Sequence, residues 1–374
     1  MMLKPPGREP DFDPNATPPD PPIHYAEQAL LSALLLEPHR REAIGPLGPE
    51  HFSRPLHGAV FAAIVALTPP APAIHAREPV WLASILSHAG PTTPALTPSY
   101  LHTLIACTSM PEHAAEYAGM IRADHARRSV RVHAELLIQA ACDPTLPDPA
   151  AVALARADTL TALIDNLSSR FSPHPGSLPR TPSAGSPGRD TDEETTSEEQ
   201  VLLSTVTARP GSLPTMRWLQ AEDFAVPVHR RLFRCLTSLA HRGAPVDQVT
   251  VLWEAQRQGI FTEAITARDV LEMLATPAGS AHHWGEQVLR RSLLHSAHTA
   301  GLRIQAYAED RTNTPHQLIT GSRRALAELT AVRVRWHRAT SPTPATPPRS
   351  RAPATARTGP RTPGTVPATA RASR

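Results

Sequence analysis

A short helical segment occurs twice in this chain, and the second occurrence lies 172 positions after the first. The segment reads EQALLSAL from Glu27 and EQVLLSTV from Glu199, with five of eight letters unchanged. The same offset relates Phe52 to Phe224, Pro55 to Pro227, His57 to His229 and Phe61 to Phe233. A register held without gaps over some forty residues indicates two copies of one supersecondary unit.

Both copies show the apolar spacing of amphipathic helices. Two short helices are predicted at the start of each copy, over 27–36 and 56–67 in the first and over 199–206 and 228–239 in the second. Longer helices are predicted over 117–141 and 149–167, and over 284–308 and 315–337. In the second copy, Asp247 is the expected N-cap of a further helix and Gly259 its expected end. We therefore predict an all-α protein of two tandem helical domains, each a helical head followed by a long helical hairpin.

The distribution of proline along the chain indicates where these domains begin and end. The chain has 42 prolines in 374 residues, and they concentrate at both ends and between the copies. The predicted organisation is a disordered tail (1–22), copy 1 (23–168), a disordered linker (169–196), copy 2 (197–338) and a disordered basic tail (339–374). A flexible linker of this length spans about 30 Å, so the two copies are expected to be able to pair with each other.

The cysteine spacing and the lack of long apolar runs indicate the cellular compartment. Cys107, Cys142 and Cys235 lie far apart and form no C-x-x-C pair, which argues against a disulfide framework. The amino terminus has no apolar signal-peptide core, and no run of 18 apolar residues exists. We expect a cytoplasmic protein without a membrane segment.

No catalytic, cofactor or metal site is predicted. Adjacent histidines such as His282 and His283 diverge by about 100° on a helix and do not easily hold one ion. His57 and His229 occupy the same position in the two copies and lack a nucleophile or carboxylate partner nearby in sequence. We therefore expect them to anchor the core or a loop rather than to catalyse.

These motifs carry a family resemblance. The stretches AEQALLSALL and HFSRPLHGAVFAAI of the first copy resemble the amino-terminal domain of DnaB-type replicative helicases. The stretches EDFAVPVHRRLFRCLTSL and RGAPVDQVTVLWEAQRQG of the second copy are similar to the same domain, including a Gly-x-Pro-Val-Asp turn. The first copy departs from this pattern at TPPAPAIHAREPVWL, where the turn is missing.

The resemblance implies a collar domain that pairs through its hairpin and offers a docking surface to primase and helicase loaders. In that family, ATP hydrolysis belongs to a separate motor domain with a G-x-x-x-x-G-K-[ST] phosphate loop. Lys4 is the only lysine of this sequence, so no such loop is present. We expect a protein that is not an enzyme.

Candidate interface residues lie near the start of the long hairpin helices. Tyr117 and Trp284 hold matching positions there, and Ile121 and Val288 follow them one turn later. The last segment contains no acidic residue and several arginines, among them Arg349, Arg351, Arg357 and Arg361. We expect those arginines to contact nucleic acid weakly and without sequence specificity.

Three functions are compatible with the sequence. The leading one is a non-catalytic replication accessory or adaptor that binds a replicative helicase or a primase. The second is a structural subunit of a DnaB-like helicase whose motor is on another chain. The third is a helical scaffold unrelated to replication.

Overall fold

A computed structural model describes residues 20–71, 75, 80–107, 109–174, 176, 178–182, 188 and 191–341. Within these residues the protein consists of α-helices joined by loops and short 3-10 turns, with no β-strand. The all-α prediction is confirmed. The first 19 residues and the segment after 341 lie outside the described residues, and with them most of both predicted tails.

The first copy contains four shorter helices and a hairpin of two long ones. The shorter helices, which we call the first head, are α1 (Pro22–Leu36), α2 (Pro55–Ala66), α3 (Val80–Ala89) and α4 (Pro98–Ile105). The first hairpin consists of α5 (Ala114–Cys142) and α6 (Pro149–Arg170).

The second copy repeats this order. The second head comprises α7 (Glu193–Ala208), α8 (Pro227–His241), α9 (Gln248–Arg257) and α10 (Ala267–Met273). The second hairpin consists of α11 (Ala281–Glu309) and α12 (Pro315–Thr340). Because α6 ends at Arg170 and α7 begins at Glu193, helix occupies both ends of the segment predicted as a linker.

The helices begin where the sequence provides helix starts. Proline, whose fixed φ suits the first turn, opens α1, α2, α4, α6, α8 and α12. Asp247 caps α9 by accepting hydrogen bonds from the backbone N–H groups of Val249 and Thr250, at 2.8 and 2.9 Å. Gly259 follows α9 with φ +63°, a left-handed conformation that favours glycine. Both ends predicted for α9 are confirmed.

Two hydrophobic cores form in the described residues. The smaller one fills the first head and includes Leu30, Phe61 and Ile85. The larger one runs through the second head and continues into both hairpins, so that Val130 of α5 and Leu160 of α6 belong to the same core as Leu293 of α11. We call this larger one the shared core, because both copies contribute to it.

Helices α5 and α11 run antiparallel and cross closely, forming what we call the seam. The N-terminal half of α5 meets the C-terminal end of α11, where Arg127 reaches the carbonyl of Ala308. A Cβ placed on Gly301 would lie 2.6 Å from Cγ1 of Ile138 and 3.2 Å from the carbonyl oxygen of Ala134. Glycine at this point therefore lets the two backbones approach. Exposed ion pairs of Arg323 with Asp165 and Arg333 with Asp158 join α12 to α6.

Candidate functional site

A buried glutamate in each head holds the loop that leads into the next helix. In the first copy, Glu27 accepts hydrogen bonds from the Ser53 N–H and from His57 Nδ1, both at 2.5 Å. In the second copy, Glu199 accepts from the Ala225 N–H at 2.5 Å and lies 3.0 Å from His229 Nδ1. Both glutamates and both histidines are buried.

This arrangement explains the role of the repeated histidines. The carboxylate of the first helix of each head meets the N-terminal end of α2 or α8, where a negative charge is favourable. Burial acts to raise the pKa of Glu27, but hydrogen bonds from His57 and Ser53 outweigh it and lower the pKa below its usual value. The geometry agrees with the anchoring role expected for His57 and His229. Sequence reasoning missed their glutamate partners, although Glu27 and Glu199 opened the repeat that it had found.

The predicted interface residues lie at the head end of the long helices. Ile121 is buried in the core of the first head, and Tyr117 packs against that core while its hydroxyl accepts a hydrogen bond from the Met110 N–H at 3.3 Å. Val288 belongs to the shared core, and Trp284 packs against it and donates from Nε1 to the Ala278 carbonyl at 2.9 Å. As interface residues these four stay a prediction.

Other residues form the seam itself, and most of them are small. Sequence reasoning singled out none of these positions, although alanine and glycine spaced along both long helices indicate close packing. They include Ala134 and Ile138 of α5, which face Gly301 of α11, and Ala308 of α11, whose carbonyl accepts a hydrogen bond from Arg127.

The second head presents an exposed apolar strip on α9. Val249 is 70% exposed and Trp253 66% exposed, and the two lie one turn apart on the helix. The helix is fixed beneath them, because the buried carboxylate of Glu254 accepts a hydrogen bond from Arg242, beyond the end of α8, at 2.8 Å. In the first head, α3 instead buries its tryptophan, Trp81, in the core. The two heads therefore differ in the surface that they offer.

Two sets of residues from the sequence analysis remain, the adjacent histidines near the start of α11 and the arginines of the last segment. In the part of the chain that the structure describes, no cluster of three or more His, Cys, Asp or Glu residues could hold a metal ion. His282 lies 3.3 Å from Glu286, one turn along α11. The tail residues Arg349, Arg351, Arg357 and Arg361 lie outside the described residues.

None of the helices described combines the length and the apolar character that crossing a bilayer requires.

Comparison with known proteins identifies a family that this chain matches twice. The model of the DnaB-like helicase N terminal domain matches residues 20–123 and again residues 192–288. Each match covers one head and the beginning of the long helix that follows it. Over 122 residues the chain is 26% identical to the replicative DNA helicase DnaB of Mycobacterium leprae, a match that covers 32% of this chain and 20% of that protein. No solved structure matches the chain.

The two family matches agree with the duplication seen in the sequence and in the fold. Together they cover more than half of the chain, and they coincide with the two heads and their buried Glu–His pairs. This chain belongs to the family of DnaB-like helicase N-terminal domains and carries two copies of that domain.

Proposed function

We propose that this chain is a non-catalytic accessory or adaptor protein of DNA replication that binds a replicative helicase or a primase. The observation that carries the proposal is the double match to the DnaB-like helicase N terminal domain. The lack of a phosphate-binding loop supports a non-catalytic role, since Lys4 is the only lysine of the sequence.

The docking surface that we propose is the α9 strip of the second head. Exposed tryptophan on a fixed helix is typical of residues that dominate binding energy at protein interfaces. Trp253 has this character, Val249 lies exposed one turn before it, and Arg257 lies exposed on the same helix. The second copy also keeps the Gly-x-Pro-Val-Asp turn, as Gly243 to Asp247, whereas the first copy lacks it. The second copy should therefore bind the partner more tightly.

Two further parts of the proposal concern the rest of the chain. The two copies pair with each other through their hairpins, which is supported by the shared core. The arginines after residue 341 add weak nucleic-acid contacts that salt screens, because exposed positive charges hold phosphates mainly by counterion release.

The experiment is a titration of the full chain with the replicative helicase and the primase of its own cell, each purified. We expect one of them to bind and Trp253→Ala to weaken that binding about tenfold or more. Tyr25→Ala is the matched control, because Tyr25 is an aromatic residue of the first head that is 59% exposed. It should leave the affinity unchanged.

Two results would contradict the proposal in different ways. If neither partner binds the full chain, the role in replication is wrong. If a partner binds but Tyr25→Ala weakens binding as much as Trp253→Ala, the docking surface on α9 is wrong. Binding accompanied by assembly into one particle with a motor protein would favour the structural-subunit function instead.

A further inference from the structure

The tip of the second hairpin holds a short segment of the chain that connects the two copies. This segment, 178–182, reads LPRTP, and we call it the strap. The N–H of Arg180 donates a hydrogen bond to Oδ1 of Asn313 at 2.8 Å. The Thr181 hydroxyl donates to the Asp310 carboxylate and accepts from the Asn313 amide, both at 2.7 Å. The strap is therefore bound through one backbone group and one hydroxyl group.

The proline of the strap fits between the two helices of this hairpin. A Cβ placed on Gly321 of α12 would lie 2.5 Å from Cγ of Pro179 and 2.9 Å from two ring carbons of Tyr307, a residue of α11. Glycine at this position thus leaves the room that the proline ring occupies. Within the strap, Pro179 and Thr181 are half-buried, whereas Arg180 between them is exposed. The hairpin therefore recognises a Pro-x-Thr pattern, and the middle residue contributes its backbone N–H.

The strap lies in a groove formed by Tyr307, Asp310, Asn313 and Gly321, which we call the strap groove. Contacts other than those with the strap fix its shape. The buried Asn313 amide also donates to the Tyr307 carbonyl at 3.1 Å. Arg127 of the first hairpin donates to the carbonyls of Asp310 and Asn313, at 2.8 and 2.7 Å. The groove is therefore preorganised for a peptide segment, and an empty groove would leave the Asn313 amide without two of its partners.

The first hairpin does not repeat this groove. Its tip has the same turn, in which Asp143 accepts hydrogen bonds from the N–H and the hydroxyl of Thr145, at 2.9 and 2.6 Å. Three residues after that aspartate stands Leu146, where the second hairpin has Asn313 three residues after Asp310. A leucine side chain neither donates nor accepts hydrogen bonds. The strap groove is thus a property of the second copy.

The part of the strap that occupies the groove occurs once more in the sequence. The four letters PRTP stand at 179–182 and again at 360–363, and nowhere else in the chain. The second occurrence lies outside the described residues. The residue before the four letters is Leu178 in the strap and Gly359 in the second occurrence. This difference matters little for binding, because Leu178 is 56% exposed in the strap.

We infer that the strap groove binds the segment 360–363 of the same chain, in competition with the strap. In that complex Pro360 lies against Gly321, and the Thr362 hydroxyl makes the two hydrogen bonds that the strap threonine makes now. The groove is separate from the α9 strip, so this inference depends neither on that docking surface nor on a replication partner.

The segment that precedes 360–363 is long enough for this binding. The 18 residues between Ser341 and Pro360 span up to about 60 Å when extended. Helix α12 rises by only about 30 Å from Gly321 to its end at Thr340. The chain after α12 can therefore return to the groove beside Gly321.

The strap has the advantage of a shorter tether. Eight residues separate Arg170, at the end of α6, from Pro179. Each doubling of a loop lowers the equilibrium constant for its closure by about threefold. The strap is therefore the favoured occupant, and the segment 360–363 takes the groove when the strap is weakened.

Hydrogen exchange of the full chain measures which segment is bound. Thr181→Val removes the strap hydroxyl but keeps its shape, so it should slow exchange of the Arg361 amide about threefold or more. Thr181→Ser keeps the hydroxyl and should leave that amide unchanged. Adding Asn313→Leu, which copies the first hairpin, to Thr181→Val should restore the wild-type rate. An Arg361 amide that exchanges equally fast in the wild type and in Thr181→Val would overturn the inference.

A peptide titration tests recognition of the motif apart from the tether. The receptor is the full-chain variant Thr181→Val/Thr362→Val, in which both of the chain's own segments are weakened. The blocked peptide TGPRTPG, the sequence of 358–364, should bind at one site in a calorimetric titration. Valine in place of its threonine should weaken binding about fivefold, and alanine in place of its arginine should change it by less than about twofold.

Two results of the titration would contradict the Pro-x-Thr assignment. One is the absence of binding by the unchanged peptide. The other is binding that survives the change of threonine but not that of arginine, because such binding would be charge attraction alone.

Dilution identifies the source of the bound segment. Since the groove and the segment belong to one chain, slow exchange of the Arg361 amide in Thr181→Val should not depend on protein concentration. Slow exchange that is lost on dilution by about tenfold would assign the segment to a second copy of the chain, and would overturn binding within the same chain.

Discussion

Glu27 shows how one buried side chain fixes the relation between two helices. Glu27 lies on α1. Its carboxylate accepts a hydrogen bond from the Ser53 N–H, just before α2, and contacts His57 within α2. His57 in turn lies 2.6 Å from the Tyr100 hydroxyl of α4. One carboxylate therefore ties three helices of the first head together, and Glu199 ties α7 to α8 in the second.

Glu27→Gln should destabilise the first head. The glutamine amide has the shape of the carboxylate but lacks the negative charge that His57 and the Ser53 N–H stabilise. Its NH₂ group can only donate hydrogen bonds, and it would lie where the glutamate accepts them. We expect the free energy of unfolding to fall by about 2–4 kcal/mol in urea titrations. Glu37→Gln is the control, since Glu37 forms a half-exposed ion pair with Arg40 and should change stability by about 0.5 kcal/mol at most. Equal effects of the two substitutions would contradict the anchoring role.

His24 should make the first head less stable as the pH falls. Burial, and then the positive charge of Arg54, lower the pKa of His24, against the opposing effects of Asp20 and Glu27. The unfolded chain therefore takes up a proton near pH 6.5 that the folded head still excludes, so the contribution of His24 is present above that pH and is lost as the pH falls. Urea titrations between pH 7.5 and 5 (a range of about one unit or more on either side of 6.5) measure this.

The control for His24 is His24→Phe, which keeps a ring against His57, whose centroid lies 5.1 Å away. The variant should lose stability less steeply than the wild type over the same pH range, since one titrating group is gone. If the free energy of unfolding fell equally steeply with pH in both proteins, His24 would not contribute to the pH dependence of stability.

The crossing of α5 and α11 depends on one glycine. Gly301 faces Ala134 and Ile138 with no room for a further carbon atom. Gly119 lies inside α5 with only the Arg122 guanidinium nearby, at 3.9 Å from a placed Cβ. The two glycines have the same helix propensity but different surroundings.

Gly301→Ala and Gly119→Ala should change stability in opposite directions. Alanine is favoured over glycine inside a helix by about 1 kcal/mol, so Gly119→Ala should stabilise the protein by up to that amount. Gly301→Ala should destabilise it by about 1–3 kcal/mol, because the new methyl group pushes the helices apart. Thermal or urea unfolding of both variants measures the difference. A stabilising Gly301→Ala would mean that the helices are not closely packed in solution.

The sequence predicted the positions of the helices better than the contacts between them. Helix ends followed from proline and aspartate, and the long hairpin helices were placed within a few residues, as with α5 predicted over 117–141 and found as Ala114–Cys142. The Glu27–His57 pair could not be predicted from local sequence, because its members lie 30 residues apart. The exposure of Trp253 could not be predicted either, since tryptophan is usually buried and burial depends on how α9 packs on α8.

At the scale of the whole molecule, the two copies form one body with a shared core. The family matches end at residues 123 and 288, whereas most residues of the shared core in both hairpins lie beyond those points. The heads therefore carry the likeness to DnaB-like N-terminal domains, while the pairing depends on residues outside the matched segments. The α9 strip of the second head remains exposed at the surface.

Hydrogen exchange of an Ala134→Asp variant tests this shared core most directly. Ala134 is fully buried in the seam, so a carboxylate there should open the contact between α5 and α11. Val132→Asp is the control, because Val132 lies two residues away on the same helix and is 46% exposed. We predict that Ala134→Asp speeds exchange about tenfold or more in α11 and α12 of the other copy, while Val132→Asp does not. Faster exchange confined to α5 and α6 would contradict the shared core.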